Sequence, residues 1–225
     1  MAVLASTERS PNRRLLIEPK GFMLHELAPY KIVPVIAIDD IAHALPLADA
    51  LIAGGLPVAE ITFRSPVAAE VIRLMTRERP QMLVGAGTVL SAETLDLAQA
   101  SGAAFAVAPG LNPRVVAHAQ AQGLPFMPGV ATPTDIEAAL ALGCTSLKFF
   151  PAEALGGVKM LSALSAPYQH TGVRFMPTGG ITAANARDYL ALKTVLAVGG
   201  TWIAKKEDMT AGRWDVISAN CRAVA

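Results

Sequence analysis

The sequence predicts an α/β fold of the (β/α)8 type, a TIM barrel with an extra N-terminal helix. Three observations carry that prediction: eight short apolar segments at near-even spacing, amphipathic helix-like stretches between them, and no dinucleotide-binding fingerprint. The segments run Ile32 to Ile38, Pro57 to Phe63, Met82 to Ala86, Phe105 to Ala108, Pro125 to Pro128, Ser146 to Phe150, Arg174 to Pro177 and Val195 to Val198. With Val35, Glu60, Val84, Val107, Met127, Lys148, Met176 and Ala197 as centres, the spacings are 25, 24, 23, 20, 21, 28 and 21 residues. Each interval fits one helix and two loops. Helical periodicity is clear over Ala44 to Ala53, Ala92 to Ala100, Pro113 to Gln122, Thr134 to Leu142 and Ala183 to Leu192. Several of these stretches close on glycine, at Gly54-Gly55, Gly102, Gly123 and Gly143, as helix C-termini favour.

An open doubly wound sheet is the other architecture such alternation allows. Even spacing favours the closed barrel, and no strand is followed by G-x-G-x-x-G, since Gly85-Ala86-Gly87-Thr88 is too short to count. Residues from about Leu15 to Leu27 read as the extra helix, closing the bottom of the barrel and ending before Pro29. Residues 1–14 read as a flexible segment, which leaves 15–225 as a single barrel domain.

Composition narrows the function classes. The chain has 225 residues, 52% hydrophobic and 16% charged, enough for a large core covered on both faces of its strands. No stretch reaches the ~18 consecutive apolar residues of a membrane span, so no membrane association is expected. The run Arg13-Arg14-Leu15-Leu16-Ile17 is interrupted by Glu18, Pro19 and Lys20 before it forms a signal-peptide core, and a cytoplasmic location is expected. A net charge of +1 without a basic cluster argues against nucleic acid. Cys144 and Cys221 have no metal-like spacing and read as free thiols.

In a barrel of this kind the chemistry lies at the C-terminal ends of the strands. Those ends are polar and glycine-rich: Glu60-Ile61-Thr62-Phe63-Arg64, Gly85-Ala86-Gly87-Thr88, Ala108-Pro109-Gly110, Met127-Pro128-Gly129, Pro177-Thr178-Gly179-Gly180 and Gly199-Gly200-Thr201. The sixth strand supplies Lys148, within Ser146-Leu147-Lys148-Phe149-Phe150-Pro151. Side chains alternate across a strand, so Glu60, Thr62 and Arg64 share one face and Ala59, Ile61 and Phe63 the other. The polar set is expected to look inward. By the same parity Lys148 and Phe150 point inward, while Leu147 and Phe149 pack beneath helices. A lysine at a strand end ordinarily lays its stem on apolar surface and reaches water. One held inside a barrel is disfavoured as the ammonium ion, and the neutral amine is the form that attacks a carbonyl.

The paired glycines Gly179-Gly180 and Gly199-Gly200 permit close backbone approach and free N–H donors, and Thr201 adds a hydroxyl. Barrels often place a phosphate at the last two strand ends, so a phosphorylated small molecule is the expected ligand.

Over Lys31 to Arg222 the chain resembles the class I 2-keto-3-deoxy-6-phosphogluconate (KDPG) aldolases, a family that includes 4-hydroxy-2-oxoglutarate (KHG) aldolase activity. The resemblance is carried by Pro34-Val35-Ile36, Glu60-Ile61-Thr62-Phe63-Arg64, Val84-Gly85-Ala86-Gly87-Thr88-Val89, Pro109-Gly110, Lys148-Phe149-Phe150-Pro151-Ala152-Glu153, Pro177-Thr178-Gly179-Gly180-Ile181 and Gly199-Gly200-Thr201-Trp202. It implies that Lys148 forms a Schiff base with the keto carbon of substrate or pyruvate. Glu60 would be the general acid and base, and Arg64 and Thr88 would hold the carboxylate of the pyruvate half. It further implies that Phe150 packs beside the imine and that Gly179, Gly180, Gly199, Gly200 and Thr201 hold the phosphate. No metal or other cofactor is implied, and a homotrimer is. Two departures stand out: the segment Ala37-Ile38-Asp39-Asp40 is acidic, and Thr201 stands where a serine is frequent. Cleavage of the galactonate epimer or of 4-hydroxy-2-oxoglutarate remains open within the class. A sugar-phosphate isomerase or epimerase without a covalent step is the alternative from another class.

Overall fold

The structure, a computed structural model, describes residues 23–224. Its strands are β1 (Ile32–Ile36), β2 (Val58–Thr62), β3 (Leu83–Gly87), β4 (Ala106–Val107), β5 (Phe126–Met127), β6 (Gly129–Val130), β7 (Ser146–Phe149), β8 (Arg174–Pro177) and β9 (Val198–Gly200). The helices are α1 (Ala44–Ala53), α2 (Ala68–Glu78), α3 (Ala92–Ala100), α4 (Pro113–Gln122), α5 (Pro133–Ala141), α6 (Gly157–Ser165), α7 (Ala186–Leu190), α8 (Lys206–Thr210) and α9 (Trp214–Arg222). Every strand pairing is parallel, as crossover helices require. One sheet has six strands in the order β5-β4-β3-β2-β1-β9, and a second has the order β6-β7-β8. Single bridges, Phe175 to Val195 and Thr178 to Gly199, run from β8 and its C-terminal end to β9 and the residues before it.

This is the parallel α/β arrangement the repeat predicts, with hydrogen-bonded ladders that fall into two groups rather than one continuous ring. The break has a local cause. The expected strand Pro125 to Pro128 holds only β5, and the chain resumes as β6 just past Pro128, whose nitrogen has no hydrogen to donate to a ladder. The Pro128 carbonyl still accepts from the Lys148 amide at 2.8 Å, so the chain passes from one sheet to the other without losing its neighbour.

Three expected helices, α1, α3 and α4, match residue for residue. Helix α5 begins one residue earlier than expected because Thr132 caps it: its hydroxyl accepts from the Asp135 amide, and the Asp135 carboxylate accepts from the Thr132 amide. Helix α7 is shorter than Ala183 to Leu192, since Asn185 turns back to accept from the Thr182 amide at 2.8 Å. The longest interval, between the sixth and seventh segments, holds both α6 and a 3-10 helix at Ala166–Thr171. The last strand is displaced: Val195 to Val198 was expected, whereas β9 starts at Val198 and pairs Gly199 with Val33 and Gly200 with Pro34 of β1. Glycine's low strand preference hides this in the sequence.

Of the expected helix Leu15 to Leu27, residues 15–22 lie outside the described residues, as does the expected flexible segment 1–14. The described part is a 3-10 helix, Leu24–Tyr30, which runs through Pro29 instead of ending before it and buries Leu27 completely. Among the described residues no helix is long and apolar enough to cross a membrane. Cys144 and Cys221 are unpaired and buried, and burial pushes the Cys221 thiol up to about 11.

The junction between the sheets tests this packing. A Cβ on Gly129 would lie 2.1 Å from the carbonyl oxygen of Pro109, while one on Gly110 meets nothing within 4 Å. Gly129→Ala is expected to destabilise the protein by roughly 1–3 kcal/mol, and Gly110→Ala to change stability by less than about 0.5 kcal/mol. Urea unfolding midpoints of the two variants read the difference, and equal midpoints would contradict the close approach at Gly129.

Candidate active site

Glu60 lies at the middle of β2 and Lys148 in β7, 88 positions later in the chain. The two strands belong to different sheets, yet Lys148 Nζ donates to Glu60 Oε1 at 3.1 Å. Their side chains are 6% and 0% exposed. The inward parity expected for both is therefore met. Parity turns both side chains toward the same interior, and the fold adds that they are in direct contact. Removing two charges from water costs several kcal/mol per ion, so such a pair adds little net stability. Glu60 Oε2 is also buried and has no hydrogen-bond partner among the described residues. An unsatisfied buried acceptor costs roughly 1–3 kcal/mol, and in native proteins it calls for an explanation such as a catalytic role.

One glycine of β3, Gly87, makes room for this carboxylate. In register, Glu60 lies beside Gly85 and Thr62 beside Gly87. A Cβ on Gly87 would fall 2.3 Å from Glu60 Oε1 and 2.7 Å from its Cγ. Gly87 is thus a site residue that the sequence reading quoted only as part of a motif. The signal was available, since G-x-G within a strand opposite E-x-T leaves one face without side chains.

Phe150 is half-buried, with its ring centroid 5.7 Å from Lys148 Nζ, whereas Phe149 is fully buried under the helices. That is the division parity predicts. The Phe150 ring also reaches the turn after β8, where a Cβ on Gly179 would lie 3.3 Å from it. The lysine and the glycine turn therefore flank one aromatic ring.

Strand β2 ends at Thr62, and Arg64 lies exposed beyond it, on the same side as Thr62. Its Nε approaches Thr62 Oγ1 at 3.4 Å, and among the described residues it makes no ion pair. Thr88 follows β3 at the same end with φ of +58°, a left-handed conformation that a β-branched residue rarely adopts. Hydrogen bonds on both sides impose it, from the Phe63 amide to the Gly87 carbonyl at 2.8 Å and from the Val89 amide to the Val107 carbonyl at 3.1 Å. Strain of about 1–3 kcal/mol of this sort collects at functional sites. The acidic pair after β1 is used locally: Asp39 pairs with Lys206, and Asp40 caps the Ala42 amide at 2.9 Å.

Gly179 and Gly180 have φ of +104° and +77°, and among the described residues neither amide hydrogen is bonded. Gly199 and Gly200 differ from expectation, being buried inside β9 rather than in a turn beyond it. Their lack of side chains is explained by packing, since a Cβ on Gly199 would lie 2.1 Å from Thr178 Oγ1 and one on Gly200 2.7 Å from the Trp202 ring. The Thr178 to Gly199 bridge nevertheless brings the two glycine pairs side by side, with Thr201 exposed just past the end of β9.

The chain as a whole has counterparts among known proteins. A 2-dehydro-3-deoxy-phosphogluconate aldolase of Haemophilus influenzae is 50% identical over 202 residues, 90% of this chain and 94% of that one. A KHG/KDPG aldolase of Escherichia coli K12 is 44% identical over 191 residues, 85% and 89% of the two chains. Among solved structures, a KDPG aldolase from Legionella pneumophila, with pyruvate captured at low pH as a covalent carbinolamine, superposes with a TM-score of 0.87 at 39% identity, covering 91% of this chain and 98% of that one. The Zymomonas mobilis KDPG aldolase with 3-phosphoglycerate superposes with a TM-score of 0.81 at 44% identity, covering 90% and 93%. The family model for KDPG and KHG aldolase matches residues 24–220, so this chain belongs to the KDPG and KHG aldolase family.

Proposed function

We propose that the protein is a Schiff-base aldolase that cleaves 2-keto-3-deoxy-6-phosphogluconate to pyruvate and D-glyceraldehyde 3-phosphate. The observation that carries this reading is the 3.1 Å contact between a buried Lys148 amine and Glu60, whose second oxygen is unpartnered. Attack on the keto carbon needs Lys148 to give up a proton, and Glu60 is within reach to receive it. Glu60 returns that proton to the carbinolamine hydroxyl, which leaves as water, so that a protonated imine and the Glu60 carboxylate remain. Glu60 takes the C4 hydroxyl proton, the C3–C4 bond breaks, and its electron pair passes into the imine to give an enamine. The aldehyde leaves, C3 is protonated, and hydrolysis returns pyruvate and the free lysine.

The remaining roles follow from position. Arg64, unpaired on the rim, suits a carboxylate because its fork matches two oxygens, and Thr88 beside it adds a hydroxyl. Phe150 covers the imine. The free amides of Gly179 and Gly180 receive the phosphate, with Gly199, Gly200 and Thr201 completing that end of the site. In this reading the two sheets are one closed (β/α)8 barrel, with an N-terminal helix beneath it and residues 15–225 as a single domain. The bridges of β8 to β9 and the passage of the chain from β5 to β6 support closure. A homotrimeric assembly and a cytoplasmic location belong to the same reading. The E. coli relative called a KHG/KDPG aldolase favours 4-hydroxy-2-oxoglutarate as a second substrate.

Incubation with pyruvate and borohydride is expected to inactivate the enzyme and add mass to the peptide containing Lys148. Lys148→Met should abolish that adduct and lower turnover by roughly 10^4-fold or more. No adduct and no release of pyruvate from the keto acid would favour the non-covalent isomerase chemistry instead. Gly87→Ala, which pushes on the Glu60 carboxylate, is expected to lower kcat/KM by about 10²-fold with an unchanged circular dichroism spectrum. Retained activity in that variant would show that the position of Glu60 does not matter.

A further inference from the structure

The turn at Gly179 and Gly180 is held by a pair of side chains with no role in the chemistry above. Tyr189, on α7, is completely buried, and its hydroxyl donates a short hydrogen bond to Glu153 Oε1. Glu153 in turn lies against the turn. Its amide donates to the Gly179 carbonyl at 3.0 Å, and its stem lies so close to Gly180 that a Cβ there would be 2.7 Å from Glu153 Cβ and 2.9 Å from Cγ. The carboxylate is hemmed in on another side by Gly157 of α6, where a Cβ would meet Glu153 Oε1 at 3.1 Å and the Tyr189 hydroxyl at 3.4 Å.

Glu153 is itself exposed, while the phenol it meets is buried. Among the described residues Glu153 makes no ion pair, so its carboxylate is answered by a neutral phenol rather than by a cation. Burial first, and then the hydrogen bond to Glu153, push the Tyr189 phenol far above its ordinary range, so it stays a proton donor. A carboxylate free to swing beside a turn that receives a phosphate would repel it.

We propose that Tyr189 is a positioning residue for substrate selection: by fixing the Glu153 carboxylate it sets the Gly179-Gly180 turn and keeps that negative charge away from the phosphate. It thereby sets the preference for a phosphorylated over an unphosphorylated aldehyde. The proposal rests on the reading that this turn receives the phosphate.

Aldol addition of pyruvate to D-glyceraldehyde 3-phosphate and to D-glyceraldehyde tests both. The wild-type enzyme is expected to prefer the phosphorylated aldehyde. Tyr189→Phe should raise KM for D-glyceraldehyde 3-phosphate about tenfold, keep kcat within about twofold and leave KM for D-glyceraldehyde unchanged. Borohydride trapping of pyruvate by the same variant should match wild type, which shows an intact lysine site. Adding Glu153→Gln to Tyr189→Phe should restore KM, because the amide carries no charge. A wild-type enzyme indifferent to the phosphate overturns the reading of the turn and the proposal with it. A wild-type preference that Tyr189→Phe leaves intact overturns the assignment of Tyr189 alone. Equal KM increases for both aldehydes, or no restoration by Glu153→Gln, mark a structural role and overturn it as well.

Discussion

The buried contact between Lys148 and Glu60 is the constraint from which the rest of the site follows. An ammonium and a carboxylate at 3.1 Å inside a protein offset each other's lost hydration only if the geometry is maintained, and neither strand can shift without breaking it. The register of β2 against β3 seats Glu60 opposite glycine, and that of β7 against β6 sets Lys148 beside Gly129. Gly85 and Gly129 are kept small by the Phe105 ring and the Pro109 carbonyl, and Gly87 by the carboxylate itself. At Gly87 the approach leaves no room for a methyl group, so the glycine is as much a part of the site as the carboxylate it accommodates.

Around this pair the structure keeps polar groups unsatisfied or strained in the places where a substrate would meet them. Glu60 Oε2 lacks a partner, Arg64 lacks an ion pair, Thr88 is held at positive φ, and the Gly179 and Gly180 amides are unbonded, all among the described residues. A protein stabilised for its own sake would pair these groups. Left open at one end of the strands, they are the groups to which the proposed function assigns the carboxylate, the hydroxyl and the phosphate of the keto acid. Phe150 spans the gap between lysine and turn, which couples the covalent end of the site to the binding end through one ring.

Much of this was legible in local sequence pattern, and the exceptions have physical causes. Helices α1, α3 and α4 were readable to the residue because amphipathic period and end signals lie within the segment itself. The end of the first strand and the whole of the last were not, because a strand extends only as far as its neighbour offers hydrogen bonds, and Gly199-Gly200 looks like a terminus until β1 is beside it. Parity placed Glu60, Lys148 and Phe150 correctly, but it did not show that Arg64 lies exposed past the strand, because β2 stops at Thr62. Tyr189 carried no signal, because nothing near it in the chain indicates that its hydroxyl meets Glu153, 36 positions away.

The sequence by itself determined the alternation of strands and helices, the inward faces of Glu60 and Lys148, and the motifs that mark the aldolase family, because each depends on residues close together in the chain. Tertiary structure alone decided that Lys148 and Glu60 are in direct hydrogen-bond contact, that the sheet divides at Pro128, and that glycines 199 and 200 lie within a strand. Those outcomes depend on which strands become neighbours and in what register. Neighbours in a parallel sheet are set by how distant segments pack together, which local periodicity does not encode.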